Sequence, residues 1–176
     1  KPILLYICLF ILIILNTSTA QIFSEEPTIR VRIIYTLDSL NIVLNDGWIL
    51  TQDKLQEKIK IHKDDSLSFT IKEESILIKS NGNDFINDYN KIILKSANSS
   101  STLKIKNVPY GIGWWWQGIE DRVYEGEIEI SINENHKFDV IVSLPLENYL
   151  CGVVPYEIGS DAPIDALKSQ VIAARS

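Results

Sequence analysis

The sequence predicts an α+β protein: strand-rich, with twisted antiparallel sheets, a short helix near residues 145–151 and a C-terminal helix from about residue 163. Three observations carry that reading. Short runs between residues 29 and 144 alternate apolar and polar side chains, the period of a half-buried strand. Turn chemistry punctuates them, as at Asn45-Asp46-Gly47 and Asn81-Gly82-Asn83. Beyond Pro145 the apolar period lengthens to three and four residues, as a helix requires.

The chain opens with Lys1 and an apolar run from Ile3 to Leu15. As a helix those residues span about 20 Å, short of the ~30 Å hydrocarbon core of a bilayer. Ser18-Thr19-Ala20 places small residues where a signal peptidase needs them, so residues 1–20 read as a secretory signal cut after Ala20. An uncleaved N-terminal anchor is the alternative. Either way the protein is expected to be exported, to a periplasmic, extracellular or cell-envelope site, with membrane contact only through this segment. No cysteine follows the cut, which argues against a lipoprotein.

Residues 21–107 form the expected strand-rich region. Ile29 to Ile33, Asn41 to Leu44, Gly47 to Leu50, Lys58 to His62, Leu67 to Ile71, Ile76 to Ile78, Ile92 to Leu94 and Leu103 to Ile105 are its strands. Ser99-Ser100-Ser101 is a polar bridge between two of them. Lysines on the alternate positions, such as Lys58, Lys60, Lys72 and Lys79, mark a solvated face. Strands this short cannot bury a face alone, so a sheet pair or small sandwich is expected.

Residues 108–176 form a second expected region. Val108 to Gly118 reads VPYGIGWWWQG, three adjacent tryptophans among glycines. Side chains of an extended segment alternate sides, so Trp114, Trp115 and Trp116 cannot all enter one core. Two readings stay open: a lid folded over a sheet edge, or an exposed platform for a sugar ring, since an indole offers an apolar face and a polar N–H edge. A hairpin follows, Tyr124 to Ile132 returning as Phe138 to Leu144, with Asn133-Glu134-Asn135 as its turn. Leu146, Tyr149 and Leu150 share one face of the short helix, and Gly152 is expected to stop it. Glu157 then stands in a loop after Val153-Val154-Pro155. Asp161 and Pro163 start the last helix, whose stripe of Ile164, Leu167, Val171 and Ala174 is expected to pack on the sheet.

Composition narrows the function. A net charge of −6 excludes a nucleic-acid partner, which needs clustered Lys and Arg, and leaves a neutral glycan open. Cys8 and Cys151 are the two thiols, and Cys151, between Leu150 and Gly152, is expected to be a buried small hydrophobe. His62 and His136 stand in polar surroundings, so neither a metal site nor a cofactor is expected. With no methionine at position 1 and a last helix cut in mid-pattern, the sequence is expected to be a fragment of a longer protein.

The final stretch resembles a known family. Pro145-Leu146-Glu147-Asn148-Tyr149-Leu150, Gly152-Val153-Val154-Pro155, Glu157-Ile158, Ala166-Leu167-Lys168, Gln170 and Ala173-Ala174-Arg175 follow, in order, the signature of the SpoIID/LytB family. Tyr124-Glu125-Gly126 and Ile29-Arg30-Val31 look like two of its strands. That family comprises the stage II sporulation protein D lytic transglycosylases of peptidoglycan and the LytB-type amidase enhancers. Asn148, Ile158 and Ser169 depart from its usual Asp, Met and Ala without removing a needed chemical group.

The resemblance implies cleavage of the bond between N-acetylmuramic acid and N-acetylglucosamine, with Glu157 as the acid. A glycosidic oxygen leaves poorly until protonated, so a neutral carboxyl must donate a proton. The sugar's own C6 hydroxyl then attacks, giving a 1,6-anhydro product, and the same carboxylate accepts that proton. The apolar neighbours Val153, Val154, Pro155, Tyr156 and Ile158 are expected to shelter the acid. Tyr156, Gln170, Arg175 and the three tryptophans are the candidate substrate contacts, and Glu147 is read as structural, favoured by the helix dipole. Taken without the resemblance, Glu157 reads as a surface or capping residue sooner than as a catalytic one. The partners implied are glycan strands or, on the enhancer reading, a cell-wall amidase.

Overall fold

The computed structural model describes residues 26–52, 58–62, 64–96, 98 and 101–175. The expected signal segment 1–20, with Cys8, lies outside them, as do Ser99 and Ser100. Twelve strands and two helices follow in order: β1 (Thr28–Ile34), β2 (Ser39–Leu44), β3 (Trp48–Gln52), β4 (Lys58–Ile61), β5 (Ser66–Lys72), β6 (Ser75–Ser80), β7 (Asn83–Tyr89), β8 (Lys91–Ser96), β9 (Leu103–Tyr110), β10 (Gly118–Tyr124), β11 (Glu127–Ile132), β12 (Phe138–Pro145), then α1 (Leu146–Ile158) and α2 (Ile164–Arg175).

The strands make two six-stranded antiparallel sheets, ordered β1-β12-β11-β8-β3-β4 and β10-β9-β2-β5-β6-β7. One core lies between them. Leu40, Ile42 and Leu44 alternate inward from β2, and Leu67 and Phe69 from β5. Ile92 and Leu94 of β8, Ile128 and Ile130 of β11, and Phe138, Val140 and Val142 of β12 meet them from the other sheet. The period-two pattern read from sequence is therefore the burial pattern of a sandwich. Trp48 is also wholly buried, with its indole N–H unpaired.

Local chemistry explains the connections. At Asn45–Gly47 the turn expected from sequence is present, with the Asp46 carboxylate accepting the Gly47 N–H at 2.8 Å. It does not join a hairpin. It carries the chain from β2 in one sheet to β3 in the other. The β11–β12 hairpin is as expected, register Ile128↔Val142 and Ile130↔Val140. Its turn extends to residue 137, because Asn133 Oδ1 accepts both the Asn135 and Lys137 N–H groups. The expected boundary between residues 107 and 108 falls inside β9, and strands from either side of it share both sheets.

On the outer face of the first sheet, charges pair across strands: Arg30 with Glu129 at 3.0 Å, Lys91 with Glu129 at 3.2 Å, Lys95 with Glu127 at 2.8 Å, and Arg32 with Asp139. Exposed pairs of this kind add little stability. They fix which face looks outward.

The core predicts where stability resides. Phe69→Ala, which empties a fully buried ring site, is expected to lower unfolding free energy by about 3–5 kcal/mol in a denaturant titration. A loss under about 1 kcal/mol would show that the two sheets do not share this core.

Candidate functional site

The helices grow out of the sandwich at one end. β12 runs without a loop into α1, and the first helical amides are satisfied by the residues just before β1, the strand paired with β12: Leu146 N–H donates to the Pro27 carbonyl, and Glu147 N–H to the Glu26 carboxylate, both at 2.9 Å. Leu150 and Val154, four residues apart, are the buried face of α1. α1 is thirteen residues long, so the helix expected near 145–151 continues past Gly152 to Ile158. Gly152 is exposed with no atom near its Cβ position, so it costs helix propensity alone. Pro155 lies inside the helix, and the chain turns away only at Gly159, φ +88°, whose N–H bonds the Pro155 carbonyl at 2.9 Å.

Glu157 is therefore a helical residue rather than a loop residue. Helix geometry turns each successive side chain by about 100°, which separates Glu157 from its sequence neighbours. Val154 is buried, while Tyr156, at 79% exposure, Glu157 and Ile158 are exposed. The apolar shelter expected around the carboxylate is not formed among the described residues. The partner that Glu157 does have comes from α2: Gln170 Nε2 donates to Glu157 Oε2 at 2.6 Å.

Nearer the start of α1, Arg175 pairs with Glu147. Contacts 157–170 and 147–175 make α1 and α2 an antiparallel helical hairpin. The Pro163 carbonyl accepts the first bonds of α2, from Ala166 at 2.9 Å and Leu167 at 3.1 Å. Leu167, Gln170 and Val171 are half-buried against α1, whereas Ile164 and Ala174 are exposed. α2 therefore packs on α1 and not on the sheet as expected, and it has no fully buried residue. Cys151 is also exposed, against the expectation that it fills a core position, because it lies on the solvent side of α1 next to buried Leu150.

The tryptophans lie elsewhere. They sit in the β9–β10 loop, against residues 33–36 at the C-terminal end of β1, while α1 adjoins the N-terminal end of that strand. Seven residues of strand separate the two places, roughly 20 Å at ~3.3 Å per residue. Tyr110, Trp116 and Trp114 form an offset, near-parallel row, each neighbouring pair 6.4 Å between ring centroids and tilted by 22° and 19°. Trp115 points away at 93% exposure. Glycine makes the row possible. At Gly111, φ +59°, an added Cβ would lie 2.4 Å from the Trp116 ring, and at Gly118 it would lie 2.3 Å from the Tyr110 hydroxyl.

Arg122 lies 5.7 Å from the Tyr110 ring centroid and pairs with Glu120 at 2.6 Å. Burial would lower its guanidinium pKa, but the Glu120 hydrogen bond and the charges of Tyr124 and Glu120 outweigh it and hold the group above its ordinary value. Burial in turn pushes the Tyr124 phenol up, with Arg122 pulling the other way.

The structure thus joins Glu157 to Gln170 and Arg175 to Glu147, leaves Tyr156 exposed beside them, and places the three tryptophans at the far end of β1. Comparison with known proteins bears on the first group. Residues 134–176 match the SpoIID family, Stage II sporulation protein. The SpoIID segment takes in β12 and both helices, with Glu147, Glu157, Gln170 and Arg175. It points to a cell-wall-related function and a sporulation-related family. Over 64 residues the chain is also 39% identical to an uncharacterized protein of Brachyspira hyodysenteriae, a stretch that is 36% of this chain and 16% of that protein's length. No solved structure matches. Among the described residues, no helix is long and apolar enough to cross a membrane.

Two substitutions check the geometry. Gly111→Ala should cost about 1–3 kcal/mol through its left-handed backbone and flatten the near-UV circular dichroism of the stacked indoles. Unchanged spectra and stability would contradict the row. Arg175→Ala removes an exposed pair of the SpoIID segment and should cost less than ~1 kcal/mol in thermal or chemical unfolding.

Proposed function

We propose that this is an exported cell-wall protein whose SpoIID segment acts on peptidoglycan glycan strands as a lytic transglycosylase, with Glu157 as general acid and then base. The observation that carries the reading is the Gln170–Glu157 hydrogen bond at 2.6 Å inside the matched segment. An amide N–H fixes one carboxylate oxygen and leaves the other for proton exchange. Protonation of the glycosidic oxygen expels the leaving sugar, and the C6 hydroxyl of the muramic residue closes on its own C1, returning its proton to Glu157. No second carboxylate is needed, because no water is activated in the bond-breaking step. Gln170 is then a positioning residue, and Tyr156, exposed one residue before the acid, offers a ring face to the sugar.

A second reading has an observation of its own. Glu157 stands on an open helical surface, so the helical hairpin also suits a non-enzymatic module that binds the wall or stimulates an amidase.

Digestion of purified glycan strands separates the two. The intact protein is expected to release anhydro-muropeptides, and Glu157→Gln to reduce that release by about 100-fold or more. Equal release by both proteins, or none by either, rejects the catalytic assignment. Amidase stimulation that survives Glu157→Gln supports the second reading.

A further inference from the structure

The β9–β10 loop has a chemistry that the Glu157 site does not use. Between it and the end of β1 lies a groove of about 240 Å³ lined by Ile33, Tyr35, Tyr110, Ile112, Trp114 and Trp116, among others. We propose that this groove is a carbohydrate-binding site, which holds pyranose rings of a neutral glycan against the Tyr110–Trp116–Trp114 row.

The loop is built rather than collapsed. Trp114 N–H donates to the Gly111 carbonyl at 2.9 Å, Gln117 N–H to the Trp114 carbonyl at 3.0 Å, and Gly113 N–H to the Gln117 side chain at 3.0 Å. These bonds fix the indoles with much of their surface still in water: Trp114 is 65% exposed and Trp116 48%. A loop acting as a lid would turn these rings inward, because a buried aromatic side chain is worth a few kcal/mol. Here the chain holds them parallel and in water, a preorganised surface.

The lining also selects its ligand. Among the described residues no charged side chain lines the groove, although the chain as a whole carries a net charge of −6. An anionic polymer therefore finds no counter-charge in it. What the lining residues do offer is both chemistries: aromatic rings for the apolar C–H faces of a pyranose, and hydroxyl-bearing Tyr35 and Thr36 with the indole N–H groups for its hydroxyls. A neutral polyhydroxylated ring needs both. The Arg122 guanidinium beside Tyr110 is already paired with Glu120, so it stiffens the row without making the groove cationic.

This site is independent of the role assigned to Glu157 and remains if that role fails. Its test is calorimetric titration of the intact protein carrying Glu157→Gln, so that no probe is consumed, with the β-1,4-linked tetramer of N-acetylglucosamine. Saturable binding is expected. Trp114→Ala, at an exposed position, should weaken it about tenfold, equivalent to ~1.4 kcal/mol, with an unchanged melting temperature. Trp115→Ala, outside the row, should leave it within about twofold. Absence of saturable binding, equal affinity of the Trp114→Ala protein, or partition onto phosphatidylcholine vesicles without any response to the sugar would each overturn the proposal. Should Trp114→Ala lower the melting temperature, Tyr35→Phe on the facing wall supplies the second variant: weaker binding at full stability supports the site, and unchanged affinity rejects it.

Discussion

β12 is the strand on which both halves of this molecule depend. Its inward residues Phe138, Val140 and Val142 fill the sandwich core, and its backbone pairs with β1 on one side and β11 on the other. At Pro145 the same chain becomes α1 with no intervening loop. A rigid strand paired on both edges leaves the helix little freedom in its starting direction. The Pro27 carbonyl and Glu26 carboxylate then take up amides that a helix start otherwise leaves unpaired. Tilting α1 would break those bonds and lift Leu150 and Val154 from their buried positions. The direction of the helical hairpin is thus set by the sheet, and α2, which has no buried residue, inherits it through α1 alone.

That dependence explains how an exposed carboxylate is still held in place. Glu157 is the penultimate residue of α1 and among the described residues has no apolar wall, yet Gln170 reaches it from α2. The Arg175–Glu147 pair closes the other end of the hairpin. Each contact is weak because it is exposed. Together with half-buried Leu167 and Val171 they fix the register of one helix on the other, which is what a positioned acid needs.

Much of this was legible in the sequence, and the misreadings share physical causes. Ile128, Ile130 and Ile132 against Phe138, Val140 and Val142 show their period directly, since that hairpin is regular. β10 does not: Ile119 and Val123 pair with Pro109 and Lys104 on the outward face and are exposed on an edge strand, while Glu120 and Arg122 lie opposite buried Val108 and Ile105. Gly152 reads as a helix terminator and Val153-Val154-Pro155 as a turn after it, but the local cost of Gly152 and Pro155 is outweighed by burial of Leu150 and Val154 on a single face of a continued helix. The turn at Asn45–Gly47 was visible as a turn, whereas its passage between sheets depends on pairings many residues distant. The placement of Glu157 failed for a similar reason. Neighbours in sequence are not neighbours on a helix, so an apolar run around an acid does not make an apolar pocket.

The last consequence is spatial. An aromatic groove at one end of β1 and an acid at the other are too far apart to grip one disaccharide. For a small substrate that separation would make one of the two sites idle. For a polymer it would not, because a strand held at the proposed groove would keep other repeats of the same strand near the helical hairpin. The local concentration at Glu157 would then depend on the tether and not on the affinity of the exposed carboxylate itself. The two proposed sites, an open acid and a remote aromatic row, are therefore complementary on a long glycan chain.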